Sequence, residues 1–210
     1  MMARRAIRDE AALRTLFPPT SEMATRKVLR RIDPHAAAFI ARSPFLTIGT
    51  QSSEGRADVS PRGDAPGFVR VLDERTLLIP DRPGNRRLDT LSNVIANPAL
   101  GLLFLIPGFD ETLRVNGRGT VTDEPALLAL TEVGGRRSTV AIHIVVEEVF
   151  LHCAKALRRS RLWDPASLQD RAGMPSLMRM LLDQTGGTTE EAERARLDAD
   201  LERRYGDTMY

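Results

Sequence analysis

Residues 76–98 read TLLIPDRPGNRRLDTLSNVIANP, and the interpretation of the whole chain starts from this stretch. The apolar, β-branched run Thr76–Pro80 predicts a strand, and the proline and glycine of Asp81–Gly84 predict a turn. From Asn85 to Ala96 the apolar residues recur at helical spacing, which predicts a helix with one apolar face. Asn97-Pro98 ends that helix. The stretch therefore predicts a strand, a turn and a short helix.

The predicted helix begins at two adjacent arginines, Arg86 and Arg87. The free backbone N–H groups and the positive end of the helix dipole would face the same point as these two side chains. Such a point suits a phosphate group. The alternative is a solvated arginine pair, because Lys27 and Lys155 are the only lysines and nearly all positive charge in the chain is arginine.

The flanking sequence predicts more strands in hairpin order. Each run is rich in apolar and β-branched residues and is bounded by turn residues. The runs are Phe45–Thr50, Ala57–Ser60, Phe68–Leu72, Ala99–Ile106, Thr112–Thr122 and Thr139–Leu151. Gly117 and Gly119 predict a bend or bulge in the fifth run. Strands in this order, with only short helices between them, favour an antiparallel barrel over a parallel sheet.

Helical segments flank the predicted barrel. Asp9–Phe17, Ser21–Arg30 and Pro34–Arg42 predict three short helices, with Asp33 as the N-cap of the third and Pro34 at its first position. The residues after Lys155 are mostly charged and helical in pattern. We expect these segments to pack outside the barrel.

Composition narrows the classes of function. The 30 basic and 28 acidic residues give a net charge of only +2, too balanced for a nucleic-acid-binding field. No run approaches the roughly 18 apolar residues of a membrane span, and the N-terminus lacks a signal-peptide core. The one cysteine and three histidines form no recognisable metal-ligand spacing. We therefore expect a cytoplasmic protein with no metal, no membrane and no nucleic-acid partner.

A second arginine motif, Ser60-Pro61-Arg62-Gly63-Asp64, lies at the end of a predicted strand. Arg62 could bind a phosphate through two hydrogen bonds, and the Ser60 hydroxyl could add another. The alternative is a plain turn. On the strand 112–122, Arg114 and Asn116 could face the same ligand or could simply be exposed.

Five blocks of this sequence occur in the order typical of the pyridoxamine 5′-phosphate oxidase-like superfamily. They are FLTIGT (45–50), SPRG (60–63), LIPD (78–81), GNRR (84–87) and Asn97-Pro98. The chain resembles that superfamily over roughly residues 35–165. The resemblance implies a mainly β fold with flanking helices, an antiparallel split β-barrel that binds FMN. It divides the chain into an N-terminal helical extension (1–34), a barrel domain (35–165) and a C-terminal helical extension (166–210).

The resemblance also implies a homodimer with FMN in a groove at the subunit interface. Ser60 and Arg62 match the strand that contacts the phosphate and the ribityl chain. Residues Ile79–Asp81 match the strand whose backbone lines the isoalloxazine ring, and residues Asn85–Arg87 match the basic turn at the phosphate. The residues are Ser60, Arg62, Ile79, Pro80, Asp81, Asn85, Arg86 and Arg87.

The segment His152–Pro165 resembles the same part of a less characterised branch of FMN-dependent enzymes. A Lys155 ammonium near the flavin N1–C2=O region would stabilise the reduced, anionic flavin. Trp163 could stack on a flavin or substrate ring across the dimer interface, or it could be an ordinary packing anchor. Cys153 is predicted to be a buried, inert thiol.

The expected function is that of an FMN-dependent oxidoreductase that acts with a small-molecule substrate or electron donor. The substrate-phosphate residues of the true oxidase have no match here, so oxidation of a vitamin B6 compound is not expected. Two alternatives stay open: a non-catalytic flavin- or haem-binding protein, since one fold can hold a cofactor without turnover, and a deazaflavin-dependent reductase. No catalytic acid or base can be assigned from the sequence.

Overall fold

The computed structural model describes residues 6–209, which form seven strands, eight helices and two short 3-10 turns. The strands are β1 (Phe45–Gln51), β2 (Ala57–Gly63), β3 (Arg70–Asp73), β4 (Thr76–Pro80), β5 (Ala99–Leu105), β6 (Thr112–Thr122) and β7 (Ala141–His152). The helices are α1 (Glu10–Arg14), α2 (Glu22–Arg26), α3 (Pro34–Arg42), α4 (Asp89–Ala96), α5 (Pro125–Ala129), α6 (Lys155–Ser160), α7 (Leu177–Thr185) and α8 (Glu191–Thr208). The 3-10 turns are Pro165–Ser167 and Arg171–Gly173.

All seven strands lie in one antiparallel sheet with the order β2-β1-β5-β6-β7-β4-β3. The predicted hairpins β1–β2 and β3–β4 are therefore confirmed. β2 and β4 stand five positions apart in this order, yet Asp64 just after β2 pairs with Arg82 just after β4. The sheet thus curls until the two ends meet through side chains, without strand pairing between them. The mainly β split barrel with flanking helices is the fold of this chain.

The core lies inside the curled sheet and under helix α3. Alternate residues of β1 and β5 point inward, so Leu46, Ile48, Leu102 and Phe104 are almost fully buried. Alternation of this kind buries one side of each antiparallel strand. Helix α3 closes the barrel with its buried apolar face, and Asp33 caps its N-terminus as predicted.

A β-bulge interrupts the long β6–β7 ladder. The register shifts between Asn116 and Gly117, as the glycines in this strand predicted. A Cβ atom on Gly117 would lie 2.3 Å from the carbonyl oxygen of Val145, so only glycine fits this approach of two backbones.

The loop before α4 differs from the sequence prediction. The helix begins at Asp89, three residues after Arg86, so it does not begin at the arginine pair. The side-chain oxygen of Asn85 accepts a hydrogen bond from the backbone N–H of Arg87, and Arg86 and Leu88 have left-handed backbone angles. A turn closed by a side-chain hydrogen bond competes with helix formation, so the helix begins later in the chain.

The terminal segments contribute little to the core. Helices α1 and α2 contain no buried residue, whereas Leu29 bridges to β7 and Ile32 is buried in the core. Helices α7 and α8 pack mainly on each other. The proposed domain boundaries at residues 34 and 165 stay predictions. No helix among residues 6–209 combines the length and apolar content needed to cross a bilayer.

Candidate functional site

Arg62 lies on the inward-facing side of β2 together with Asp58 and Ser60. These alternate residues of the strand are half-buried, while their neighbours Val59 and Pro61 are exposed. The Arg62 guanidinium donates one hydrogen bond of 2.6 Å to Ser60 Oγ and another of 2.8 Å to the backbone oxygen of Pro61. Both contacts are local, and they hold the guanidinium against the strand.

The Arg62 guanidinium has no carboxylate to balance its charge at contact distance. Burial lowers the pKa of Arg62, and the nearby charges of Asp81 and then Asp58 partly offset this effect. Within the described part of the chain, neither carboxylate forms an ion pair with Arg62. These two carboxylates offset the burial of the cation only in part, and an anion in direct contact would offset it further.

Asp81 follows β4 and faces Arg62 across the groove between the two ends of the sheet. Ile79 and Pro80 before it are buried, and the backbone N–H of Asp81 donates to Val140 O at 3.0 Å. Burial raises the pKa of the Asp81 carboxyl, and the Arg62 charge partly offsets the rise. Among residues 6–209 the carboxyl group itself accepts no hydrogen bond and joins no ion pair.

The loop before α4 brings a second arginine to the same groove. Arg87 Nε donates to Asp89 Oδ2 at 2.7 Å, and its side chain is 72% exposed. The Asp89 hydrogen bond and charge raise the pKa of Arg87, and Asp58 on β2 contributes to the same rise. Asp58 therefore acts electrostatically on both Arg62 and Arg87. We call Ser60, Arg62, Asp81 and Arg87 the arginine cluster, and Arg86 is the preceding residue of the same loop.

Sequence reasoning missed the residues that fix this cluster to the barrel. The Asp58 carboxylate accepts long hydrogen bonds from the hydroxyls of Thr50 (3.4 Å) and Thr90 (3.5 Å). Asn93 on α4 donates to the Thr50 hydroxyl at 3.1 Å. These contacts join β1, β2 and α4 around Asp58, four residues before Arg62 on the same strand. The available signal was alternation, since Asp58 lies four residues before Arg62 and so on the same face of the strand.

A buried ion pair joins the chain just after β2 to the chain just after β4. The Asp64 side chain is 1% exposed and accepts a 2.7 Å hydrogen bond from Arg82 Nε, which is 19% exposed. Arg82 also donates to the hydroxyl of Ser138 at 3.2 Å. Sequence analysis treated Arg82 as a turn residue and Asp64 as the end of a motif. Their pairing depends on the curl of the sheet, which no local pattern reveals.

Lys155 and Trp163 lie at the opposite end of β7 from Asp81. Asp81 bonds to Val140 just before this 12-residue strand, and Lys155 follows the strand. At about 3.3 Å per residue the strand spans roughly 35 Å. Within one chain the length of β7 therefore separates these two predicted residues from Asp81, and strands β1, β5 and β6 lie between β7 and Arg62 on β2. Trp163 Nε1 donates to Phe109 O at 2.7 Å, which ties the segment after α6 to the β5–β6 turn.

Cationic and aromatic side chains meet around Phe150 near this end of β7. Lys27 and Arg114 lie over the Phe150 ring at 5.3 and 5.1 Å from its centre, and His152 is next to that ring. Burial first, then Arg114 and Lys27, lower the pKa of His152. We call Lys27, Arg114, Phe150, His152 and Lys155 the β7-end cluster.

Cys153 in this region does not match its prediction. The thiol is exposed, so the expected buried position is wrong. Its pKa is lowered chiefly by the backbone N–H of Lys155, with help from the charges of Lys155 and Lys27. The chain leaves the sheet one residue earlier, at His152, so the apolar pattern of β7 no longer applies to Cys153.

The arginine cluster is an open groove in the single chain. A cavity of about 470 Å³ lies elsewhere, between the start of α3 and the β3–β4 turn, and none of the predicted site residues lines it. Among the described residues no group of histidine, cysteine and carboxylate side chains could hold a metal ion.

Several solved structures share parts of this architecture. HupZ from Group A Streptococcus is 16% identical with a TM-score of 0.48, and the match covers 57% of this chain and 93% of HupZ. An FMN-binding protein from Syntrophomonas wolfei is 10% identical with a TM-score of 0.44, covering 56% of this chain and 84% of that one. A protein of Clostridium acetobutylicum related to general stress protein 26 is 11% identical with a TM-score of 0.41, covering 56% and 85%.

No curated protein sequence matches this chain. The model of one protein family does match it, over residues 32–153, which is more than half of the chain. The matched region begins at buried Ile32 and ends one residue after β7, so it coincides with the curled sheet and α3. It includes the whole arginine cluster, and this chain belongs to the pyridoxamine 5′-phosphate oxidase family.

Proposed function

We propose that this chain binds FMN, with the flavin's phosphate at the arginine cluster, and that it works as an FMN-dependent oxidoreductase. The observation that carries the proposal is Arg62, a half-buried guanidinium held by Ser60 with no carboxylate partner in the described chain. A phosphate oxygen pair would satisfy the planar guanidinium with two charge-assisted hydrogen bonds. The Ser60 hydroxyl can turn to donate to the same anion.

The loop before α4 would complete the phosphate site. Arg86 and Arg87 lie on a loop whose backbone is fixed by Asn85 and by two left-handed residues. A leucine in that conformation is sterically unfavourable, and such local strain is typical of functional sites. Arg87 is held at Asp89 by an exposed ion pair, which contributes little energy and so leaves the guanidinium available to a stronger anion.

The far end of β4 would bind the rest of the flavin. β3 pairs with β4 only as far as Leu78, so the edge of β4 at Ile79 and Pro80 has a strand partner on the β7 side alone. An open strand edge offers backbone groups to a planar ligand. The bound flavin would supply the hydride or electron chemistry, while these residues orient it and limit water access.

Lys155 and Trp163 enter the proposal only through a second copy of the chain. One small molecule cannot contact both Asp81 and Lys155 across roughly 35 Å of strand in the same chain. In a homodimer with the flavin at the interface, the Lys155 ammonium would stabilise negative charge on the ring, and Trp163 would pack near it.

The phosphate assignment is tested by comparing FMN with riboflavin, which lacks the phosphate. We expect Arg62→Ala to weaken FMN binding by about 10- to 100-fold, the size of one or two charge-assisted hydrogen bonds, and to leave riboflavin binding nearly unchanged. Arg196→Ala on exposed α8 is the matched control and should change neither. Quenching of flavin fluorescence gives both dissociation constants. Equal losses for the two ligands, or no FMN binding by the wild-type chain, would refute the assignment.

The oxidoreductase activity needs a separate test. Protein loaded with FMN should bleach when a nicotinamide nucleotide is added and regain its colour with air or an artificial acceptor. Flavin that dithionite reduces but no nicotinamide nucleotide reduces would favour a flavin carrier. A preparation that binds haem rather than FMN would overturn the flavin proposal as a whole.

A further inference from the structure

Three segments of the chain meet where the two ends of the curled sheet come together. The Asp64 side chain accepts a 2.7 Å hydrogen bond from Arg82 Nε and another of 2.6 Å from the backbone N–H of Ala65. Arg82 also donates to the hydroxyl of Ser138, a buried residue, at 3.2 Å. We call Asp64, Arg82 and Ser138 the seam. It joins the end of β2, the end of β4 and the loop before β7 through side chains.

Backbone hydrogen bonds fix each side of the seam to its own part of the sheet. The N–H of Asp64 donates to Pro44 O at 3.0 Å, just before β1. The N–H of Asp81, the neighbour of Arg82, donates to Val140 O at 3.0 Å, just before β7. The seam therefore connects two ordered parts of the barrel, the β1–β2 hairpin on one side and strands β4 and β7 on the other.

The route through the sheet fixes the same separation less tightly than the seam does. From β2 to β4 the strand order passes through β1, β5, β6 and β7, which makes five strand spacings of about 4.8 Å each. The twist between neighbouring strands varies widely, so small changes add up over these steps. The 2.7 Å hydrogen bond of the seam joins the two ends directly. The seam therefore determines how far apart the ends of β2 and β4 stand.

The two halves of the proposed flavin site lie on either side of the seam. Arg62, which would hold the phosphate, lies on β2 two residues before Asp64. Pro80, at the open edge of β4 that would hold the ring, lies two residues before Arg82. A ligand with a ring and a phosphate on one chain can use both halves only if their spacing matches its length. The seam controls that spacing.

We propose that Arg82 is a positioning residue that sets the spacing between the phosphate half-site at Arg62 and the ring half-site at β4. This inference rests on the proposed function, because it takes FMN as the ligand that joins the two half-sites. Arg82 acts through Asp64 and Ser138 and not through contact with the ligand. Two half-sites at a preset spacing raise the affinity for a joined ligand, because the second contact becomes intramolecular. Loss of the seam removes this gain and leaves each half-site intact.

Replacement of the ion pair by two neutral amides breaks the seam without leaving a buried charge unpaired. In Asp64→Asn/Arg82→Gln the glutamine side chain is too short to reach both of its former partners. Ser138→Ala and Arg82→Lys are milder, because each keeps a cation beside Asp64 and loses the bond to Ser138. Glu132→Gln/Arg137→Gln is the matched control, since it removes an exposed 2.7 Å ion pair just before Ser138 in the chain.

Three probes measure the half-sites separately and together: riboflavin for the ring, inorganic phosphate for the phosphate half-site, and FMN for both. Flavin fluorescence gives the two flavin dissociation constants, and 31P resonance titration of flavin-free protein gives that of phosphate. In Asp64→Asn/Arg82→Gln we expect FMN binding to weaken by about 10-fold, with riboflavin and phosphate within about twofold of the wild type. Ser138→Ala and Arg82→Lys should weaken FMN binding alike, by about two- to fivefold. The control should bind all three probes as the wild type does.

The outcomes separate the positioning role from its alternatives. If phosphate binding weakens in Asp64→Asn/Arg82→Gln as it does in Arg62→Ala, Arg82 contacts the phosphate directly and the positioning role is wrong. It is also wrong if FMN and riboflavin weaken by the same factor, or if FMN binding does not change. The flavin site stands in each of these cases. If the double variant does not fold, the FMN-to-riboflavin ratio of Ser138→Ala and Arg82→Lys decides in the same way. If the wild-type chain binds no FMN, the proposed function fails and the positioning role fails with it.

Discussion

The arginine cluster and the β7-end cluster have similar composition but different surroundings. Both contain two or more cationic side chains. In the arginine cluster Arg62 is half-buried, bonded to the neighbouring Ser60 hydroxyl and flanked by carboxylates on two strands. In the β7-end cluster Lys27 and Arg114 rest on the Phe150 ring, and Lys155 is exposed. In so arginine-rich a chain, burial and connections to the barrel are what set the arginine cluster apart from the β7-end cluster.

The largest effect is expected when the Asp64–Arg82 ion pair that supports the arginine cluster is removed. Arg82→Ala removes the guanidinium from the buried Asp64 carboxylate and should reduce the free energy of unfolding by about 3–5 kcal/mol. Denaturant titration of the protein without ligand measures this loss. Arg137→Ala removes an ion pair whose side chains are 57% and 39% exposed, and should cost less than about 1 kcal/mol. Equal losses would mean that the groove does not depend on the Asp64–Arg82 pair.

The same contrast explains what the sequence could predict. The strand–turn–helix pattern of residues 76–98 led to β4 and α4, and the arginine motif at the end of a predicted strand led to Ser60 and Arg62. Local periodicity carries this information, because a strand or helix repeats over a few residues. The start of α4 was misplaced by three residues relative to Arg86, since the hydrogen bond that the Asn85 side-chain oxygen accepts from the Arg87 backbone N–H decided it.

The missed residues depend on contacts between distant parts of the chain. Asp64 and Arg82 are 18 residues apart, and Asp58 reaches Thr90 at a separation of 32. Neither pair shares an element, so only the curl of the sheet brings them together. The resemblance to a family supplied the order of the blocks, and the family match over residues 32–153 confirmed it. It could not reveal that the length of β7 would separate Lys155 from Asp81 within one chain.

A smaller effect tests whether Lys155 belongs to the flavin site at all. Lys155→Met removes an ammonium that we place near the reduced flavin, so the midpoint potential of bound FMN should fall by about 10–30 mV, equivalent to roughly 1 kcal/mol for two electrons. Spectroelectrochemical titration measures the shift. Lys27→Met is the matched control, because that ammonium donates to Leu151 O and lies over Phe150. Identical potentials for wild type and Lys155→Met would confine the site to the arginine cluster.

The smallest effect concerns the stability of the protein without ligand, and it has opposite signs at two aspartates. Burial raises the pKa of Asp81, so ionising it in the folded state opposes folding at neutral pH. Asp81→Asn should therefore stabilise the fold slightly at pH 7, by less than about 1 kcal/mol because the group is half-exposed, and the gain should vanish as the pH falls through the raised pKa.

Asp73 in the β3–β4 turn provides the reverse case. The backbone N–H of Arg75 lowers its pKa, so its carboxylate supports folding above the ordinary pKa of aspartate and loses that effect in acid. Asp73→Asn should destabilise the fold at pH 7 and match the wild type at low pH. The denaturant midpoint of each variant is compared with that of the wild type from pH 3 to 8. With rising pH the difference should become positive for Asp81→Asn and negative for Asp73→Asn. If Asp81→Asn instead destabilised the neutral protein, its carboxylate would have a partner in the folded chain, and the open pair with Arg62 would be wrong.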